Sequence, residues 1–139
     1  MNVTEGSDFS SFLEPNDFGK EKFKPIKVVS EEAVEVSTIE NFLTTHVTDF
    51  DKRRILLKMD TQGYDLNVFK GSLEVLGSII CLLSEISLMP IYSNMPYYID
   101  SLKKYEENGF VVTGFFPITR KDNLSLIEID CTLLNSKYA

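Results

Sequence analysis

The stretch "ILLKMDTQGYDLNVFKGS", Ile55 to Ser72, passes from strand chemistry to helix chemistry with almost no loop. Ile55 to Met59 read as a strand carrying one lysine. Leu66, Phe69, Leu73 and Leu76 then fall at spacings of three and four, the repeat of one helical face. "IICLLSEI", Ile79 to Ile86, follows as a continuous apolar run broken near its end by Glu85, the pattern of a strand buried on both faces of a parallel sheet with helices on either side. Strand, helix and strand in so short a span predict a parallel crossover, and with it an α/β fold.

The chain downstream completes that sheet. "YYIDSLKKYEENG" predicts a helix, with Pro96 suited to its first turn and Gly109 to its end. "FVVTGFF" (Phe110 to Phe116), the turn region "ITRKDN" and "LSLIEIDCTLL" (Leu124 to Leu134) predict an antiparallel hairpin. In its second strand Ser125, Ile127, Ile129, Cys131 and Leu133 share one face. Upstream, "VEVS" (Val34 to Ser37) reads as a short strand. Ser37 and Glu40 form a capping box for a helix over Thr38 to Thr45. Gly71 is expected to be a left-handed cap. Residues 1–33 read as mostly irregular, with Phe9, Phe12, Phe18 and Phe23 pinning them to the rest. The expected organisation is one domain over 1–139, an irregular segment at 1–33 and an α/β core at 34–139.

Bulk properties narrow the partners. A net charge of −7 argues against nucleic acid, which is held by clustered Lys and Arg. No apolar run is long enough to span a bilayer and no signal peptide is visible, so the expected location is cytoplasmic. With one histidine and two distant cysteines, Cys81 and Cys131, no metal site is expected. Both cysteines read as small core residues.

In an open α/β sheet, ligands bind beyond the carboxyl ends of the strands. The first predicted strand ends on Asp60 and the second on Glu85, so neighbouring strands bring both carboxylates to one rim. An aspartate there is commonly a helix cap. A glutamate in an apolar run is more telling, because burying it unpaired costs several kcal/mol. His46 could serve as a general base near neutral pH, though a boundary histidine is the commoner case. Tyr92, Tyr97 and Tyr98 could line a substrate mouth or simply pack.

"LLKMDTQGYDLNVFKGS" resembles the strand-to-helix signature of FkbM-type methyltransferases. "LLSEISLMPIYSNMPYYIDSLKKYEENGF" is similar to the family's next strand, loop and helix, and "VEVSTIENFL" and "SDFSSFLEPN" resemble two upstream segments. The resemblance implies a partial class I methyltransferase sheet, Rossmann-like, in which the four strands stand fourth, fifth, seventh and sixth. It implies S-adenosylmethionine as methyl donor and O-methylation of a hydroxyl on a sugar, glycolipid or natural product. It places Asp60, Gln62 and Gly63 against the donor, and matches Glu85 to the glutamate that ends the family's next strand. A base must take the acceptor's proton, and Asp60, Glu85 and His46, in that order, are the catalytic candidates. The resemblance also implies that the family's N-terminal half, with its glycine-rich turn and ribose-binding acid, is not in this chain. The chain alone is then expected to be weak or inactive, and the alternative is a non-catalytic remnant or interaction module. The edge of the strand 55–59 is expected to self-associate.

Overall fold

The structure is a computed structural model that describes residues 1–138. In chain order it holds β1 (Asn2–Thr4), α1 (Asp17–Lys22), β2 (Val28–Glu31), α2 (Ile39–His46), β3 (Ile55–Met59), α3 (Asp65–Lys70), β4 (Ile79–Ser87), α4 (Tyr98–Glu107), β5 (Phe110–Arg120) and β6 (Leu126–Asn135). The fold is α/β. A four-stranded mixed sheet runs β3-β4-β6-β5, and β1 and β2 make a separate two-stranded sheet. β3 and β4 are parallel, joined by the crossover through α3. β4 pairs antiparallel with β6, and β6 with β5 in the C-terminal hairpin.

The core lies between one face of this sheet and α2, α3 and α4. Leu82 and Ile86 of β4, Ile129, Cys131 and Leu133 of β6, and Met59 of β3 meet Leu43, Phe69 and Tyr105 there. Phe69 is fully buried, its ring edge-on to Tyr105 at 4.8 Å and to Phe110 at 6.0 Å, a geometry aromatic quadrupoles favour. The other face carries no helix among the described residues. Leu56, Val111 and Phe116, each more than half exposed, lie on it. β4 is therefore not sandwiched between two helix layers, as its apolar run predicts; Ile80, Cys81 and Leu83 stay half-buried.

Several local expectations are corrected. Val34 to Ser37 form no strand; the exposed valines face water without a partner strand. The cap of α2 is Thr38, whose hydroxyl accepts from the Asn41 amide at 3.0 Å. Ser37 instead accepts from the Asn41 side chain at 2.7 Å. The Glu40 amide donates to the Gly71 carbonyl, tying α2 to the end of α3. Gly71 is not left-handed: its φ is −75°, and the chain tightens into a 3-10 turn over Leu73–Ser78. Gly109 does take the left-handed conformation, at φ +85°, just after α4.

The largest correction concerns residues 1–33. They are not mostly irregular: β1 pairs with β2, and Asn16 caps α1 by accepting from the Gly19 amide at 2.8 Å. This segment seals the carboxyl rim of the large sheet. The Asn16 amide donates to the Ile91 carbonyl and the Ser93 amide to the Glu14 carbonyl, while the Asn16 side chain reaches Pro90. Gly19 is required at the contact, since a Cβ there would sit 2.3 Å from the Ile91 oxygen. A second small core of Ile26, Ile91, Tyr92 and Ile127 forms under the cap, with Phe9, Phe18 and Phe23 packed on it.

Candidate functional site

β3 stops at Met59 because the next residues turn. Gln62 and Gly63 both take left-handed backbone, at φ +49° and +86°, which lets α3 start two residues later. Asp65, the first residue of α3, fastens the turn from below. One of its oxygens accepts from the Thr61 amide at 2.9 Å and the Thr61 hydroxyl at 2.6 Å. The other accepts from the Ser84 hydroxyl at 2.9 Å and the Glu85 amide at 3.1 Å. Ser84 spends its one hydrogen on Asp65, so Tyr105, 3.0 Å away, donates to Ser84. This buried chain locks the turn, β4 and α4 together.

The upper surface of the turn is wired differently. Asp60 is exposed and paired with Lys58 at 2.8 Å. Gln62 lies between two groups: its amide nitrogen is 3.3 Å from a Glu85 oxygen, and its amide oxygen is 2.9 Å from the Tyr92 hydroxyl. The Gln62 carbonyl accepts from Ser11 of the cap at 2.7 Å. Gly63 is buried beneath Leu13 and Met95.

Glu85 stands in acidic company. Burial above all, then the negative charges of Glu128, Asp60, Asp65 and Asp130, push its carboxyl up to about 8. Burial also raises Glu128, against the Thr119 hydroxyl that donates to it. The hydrogen-bond count points the same way. Tyr92 has one hydrogen for two acceptors, the Phe9 carbonyl at 2.8 Å and Gln62. With Glu85 ionised, one acceptor goes short. With Glu85 protonated the Gln62 amide can turn over: Glu85 donates to its oxygen, its nitrogen donates to Tyr92, and Tyr92 donates to Phe9. The protonated form satisfies every group, so the proton on Glu85 and the orientation of Gln62 are coupled.

The cavity beside Glu85 is small, about 10 Å³, close to the minimum for one water. Gly63, Asp65, Met95 and Tyr98 help to line it, and so does Ser87, whose buried hydroxyl has no partner among the described residues. The roomier hollows lie elsewhere. One of about 470 Å³ lies at Phe18 and Lys121, and one of about 500 Å³ at Lys24 and Ile26.

The model of the methyltransferase FkbM domain matches residues 2–112 of the chain. This protein belongs to the FkbM methyltransferase family. No curated protein and no solved structure matches it. Within this FkbM domain, the structure brings Asp60, Gln62, Gly63 and Glu85 to one rim. It does not bring His46 there. That residue is exposed at the C-terminal end of α2, its ring 5.2 Å from Phe42, and no hydrogen bond or ion pair joins it to the turn. The chain leads from it into the amino end of β3, the opposite end from Asp60.

Sequence reasoning missed Asp65 as the hub of the site. Its signal was available: an acid at the first turn of a helix, four residues after a threonine, with the lone serine of an apolar strand to bond. Tyr92, read as either mouth or packing, is fully buried and bonded to Gln62. Tyr97 is about half exposed and Tyr98 half-buried. Cys131 is a buried core residue whose thiol is pushed up to about 12 by burial, unfit as a nucleophile. Among the described residues no cluster could hold a metal ion, and no helix is long and apolar enough to cross a membrane.

Proposed function

We propose that this FkbM domain carries the acceptor side of an S-adenosylmethionine-dependent O-methyltransferase site, acting on a hydroxyl of a sugar, glycolipid or natural product. The family match over residues 2–112 supports this reading. The carboxylates of Asp60 and Asp130, which both lie close to Glu85, suit the positive charge of a sulfonium. The rest of the donor fits poorly, since the 10 Å³ cavity at the turn admits no nucleoside. When bound, the donor supplies an electrophilic methyl group. The chain's own task is to hold the acceptor hydroxyl and take its proton. Asp60 is the best-placed base, exposed at the rim and paired with Lys58 at 2.8 Å. Glu85, protonated near neutrality, donates rather than accepts and holds Gln62 in one orientation. His46 has no part in this reading.

By itself the chain is weak or inactive as a methyltransferase, because the turn is closed over by Leu13 and Met95 and opens no donor pocket. Labelled-methyl transfer from S-adenosylmethionine to a panel of hydroxylated acceptors tests the proposal. Low transfer above the protein-free control, lost in Asp60→Asn, is the expected result. Transfer that persists in Asp60→Asn removes Asp60 from the mechanism. No transfer to any acceptor favours the alternative, a non-catalytic interaction module. Titration calorimetry adds a second measure: micromolar affinity for the donor would overturn the inference drawn from the closed turn.

A further inference from the structure

We propose that the hollow between α4 and the β5-β6 hairpin binds the alkyl chain of an amphiphilic ligand whose head carries hydroxyl groups. The hollow measures about 220 Å³. It is lined by Tyr98 and Leu102, one turn apart on α4, by Phe115 and Pro117 of β5, by Leu126 of β6, and by Leu88 just past β4.

The hollow follows from how β5 is built. Phe115 and Pro117 pair with Cys131 and Ile129, which are core residues, so both face the helix-covered side of the sheet. Near the end of α4, Tyr105 fills that side, packed with Phe110 on Phe69. At the start of α4, Tyr98 and Leu102 leave it open. Ladder shifts between Val112 and Gly114 and between Pro117 and Thr119 bracket the two β5 residues, and shifts of this kind bend a strand. Phe115 stays about half exposed. β5 is the sheet edge away from β3. Phe115, Pro117 and Leu126 also lie beyond residue 112, where the family match ends.

The lining selects the occupant. No charged or amide side chain lines the hollow, so a polar group placed there would lose water and gain little in return. The volume is below the roughly 300 Å³ at which pockets hold a whole small molecule, so it takes one part of a larger ligand. A hydrocarbon chain with its head outside meets both conditions. The head has its own place. Tyr98 also lines the cavity of about 10 Å³ beside Glu85. Ser87, only 2% exposed, lines that cavity too, and its hydroxyl has no hydrogen-bond partner among the described residues. A cavity of this size admits one water-sized group, and a hydroxyl of the head supplies both the group and the bond. Leu88 directly follows Ser87, so the places for tail and head adjoin. That this ligand is the methyl acceptor rests on the methyltransferase reading; the binding site does not.

Titration calorimetry of the full chain with octyl glucoside tests this, below the micelle concentration and without methyl donor. Circular dichroism verifies that each variant is folded. Octyl glucoside is expected to bind, and glucose, which lacks the tail, to bind at least about tenfold more weakly. Phe115→Asp puts a carboxylate at the hollow and should weaken octyl glucoside about tenfold or more. Leu126→Trp, which fills the hollow, should give the same loss. Phe116→Asp, on the open face, should leave the affinity unchanged. Ser87→Ala should weaken it about threefold to tenfold, the effect of one hydrogen bond. No binding of octyl glucoside overturns the proposal. So does binding that survives both Phe115→Asp and Leu126→Trp, or that falls equally with Phe116→Asp. A Ser87→Ala variant of wild-type affinity overturns the placement of the head. Methyl transfer is scored separately: tail-dependent binding with no transfer to octyl glucoside overturns the ligand's role as acceptor and leaves the binding site standing.

Discussion

Asp65 and Glu85 are two carboxylates bound to the same turn from opposite sides of the sheet, and their surroundings differ in kind. On the helix-covered side Asp65 accepts four hydrogen bonds, from Thr61 twice, Ser84 and the Glu85 amide. On the other side the carboxyl of Glu85 has one partner, Gln62 at 3.3 Å, and four acids around it. A buried carboxylate with a full set of donors stabilises a fold. One placed among acids with a single long bond is costly to hold ionised, and strain of that sort collects at functional sites. The contrast teaches that the covered side builds the turn and the open side gives it chemistry.

The comparison breaks first at Asp65. Asp65→Ala would leave the Thr61 amide and hydroxyl, the Ser84 hydroxyl and the Glu85 amide without their shared acceptor. The expected loss is about 3 kcal/mol, since hydrogen bonds to a charged group contribute about 1.5–3 kcal/mol and the orphaned donors add to it. Urea unfolding followed by circular dichroism reads this directly. A loss under about 1 kcal/mol would show that the clamp does not hold the turn.

Glu85 should behave in the opposite sense, and the effect depends on pH. Its folded value is raised from 4.5 to about 8. Between those values the folded state keeps a proton the unfolded chain has lost, so stability falls as pH rises through that window. Below it both states are protonated, and above it both are ionised with the penalty fully present. Glu85→Gln cannot ionise, and its amide can still donate to Gln62. The variant should match the wild type near about pH 4.5 and become the more stable of the two by about pH 8. Urea midpoints measured across this range check it. Parallel curves for the two proteins would show that Glu85 is not held protonated.

A smaller change sharpens the picture of the covered side. Tyr105→Phe removes the last donor of the Asp65 chain while the ring stays packed on Phe69. Ser84 keeps Asp65 as its acceptor, so the loss should be about 1 kcal/mol, an ordinary single hydrogen bond. A loss as large as that of Asp65→Ala would mean that the chain acts as one unit.

How much of this was legible beforehand follows from the range of the forces involved. β3, β4 and α4 were readable because their apolar periodicities are local and long. The C-terminal hairpin was readable for the same reason, although β5 runs on to Arg120. Asp60, Gln62 and Glu85 were readable as a group because parallel neighbouring strands end on one rim. The cap over that rim was not. Its bonds link residues as distant in sequence as Asn16 and Pro90, or Ser11 and Gln62, and in the sequence it shows only as scattered phenylalanines. The bare second face was missed too. The apolar run of β4 looks the same whether its outward side chains are covered or only half-buried. Val34 and Val36 failed for the converse reason: a β-branched alternation makes a strand only where another strand is there to pair.

The smallest stability effect is expected at Asp60, and there the comparison with Asp65 is sharpest. Asp60→Asn removes an exposed ion pair with Lys58, a contact in high dielectric. Such pairs contribute little, so the unfolding free energy should stay within about 0.5 kcal/mol of the wild type. If Asp60 is the base for an acceptor hydroxyl, the same substitution should abolish whatever methyl transfer the chain supports, because an amide cannot take that proton. A variant that keeps its stability and loses its chemistry would complete the division between the two acids. One that loses stability like Asp65→Ala would make Asp60 a second structural clamp, and the open side of the turn would then have no residue free to act.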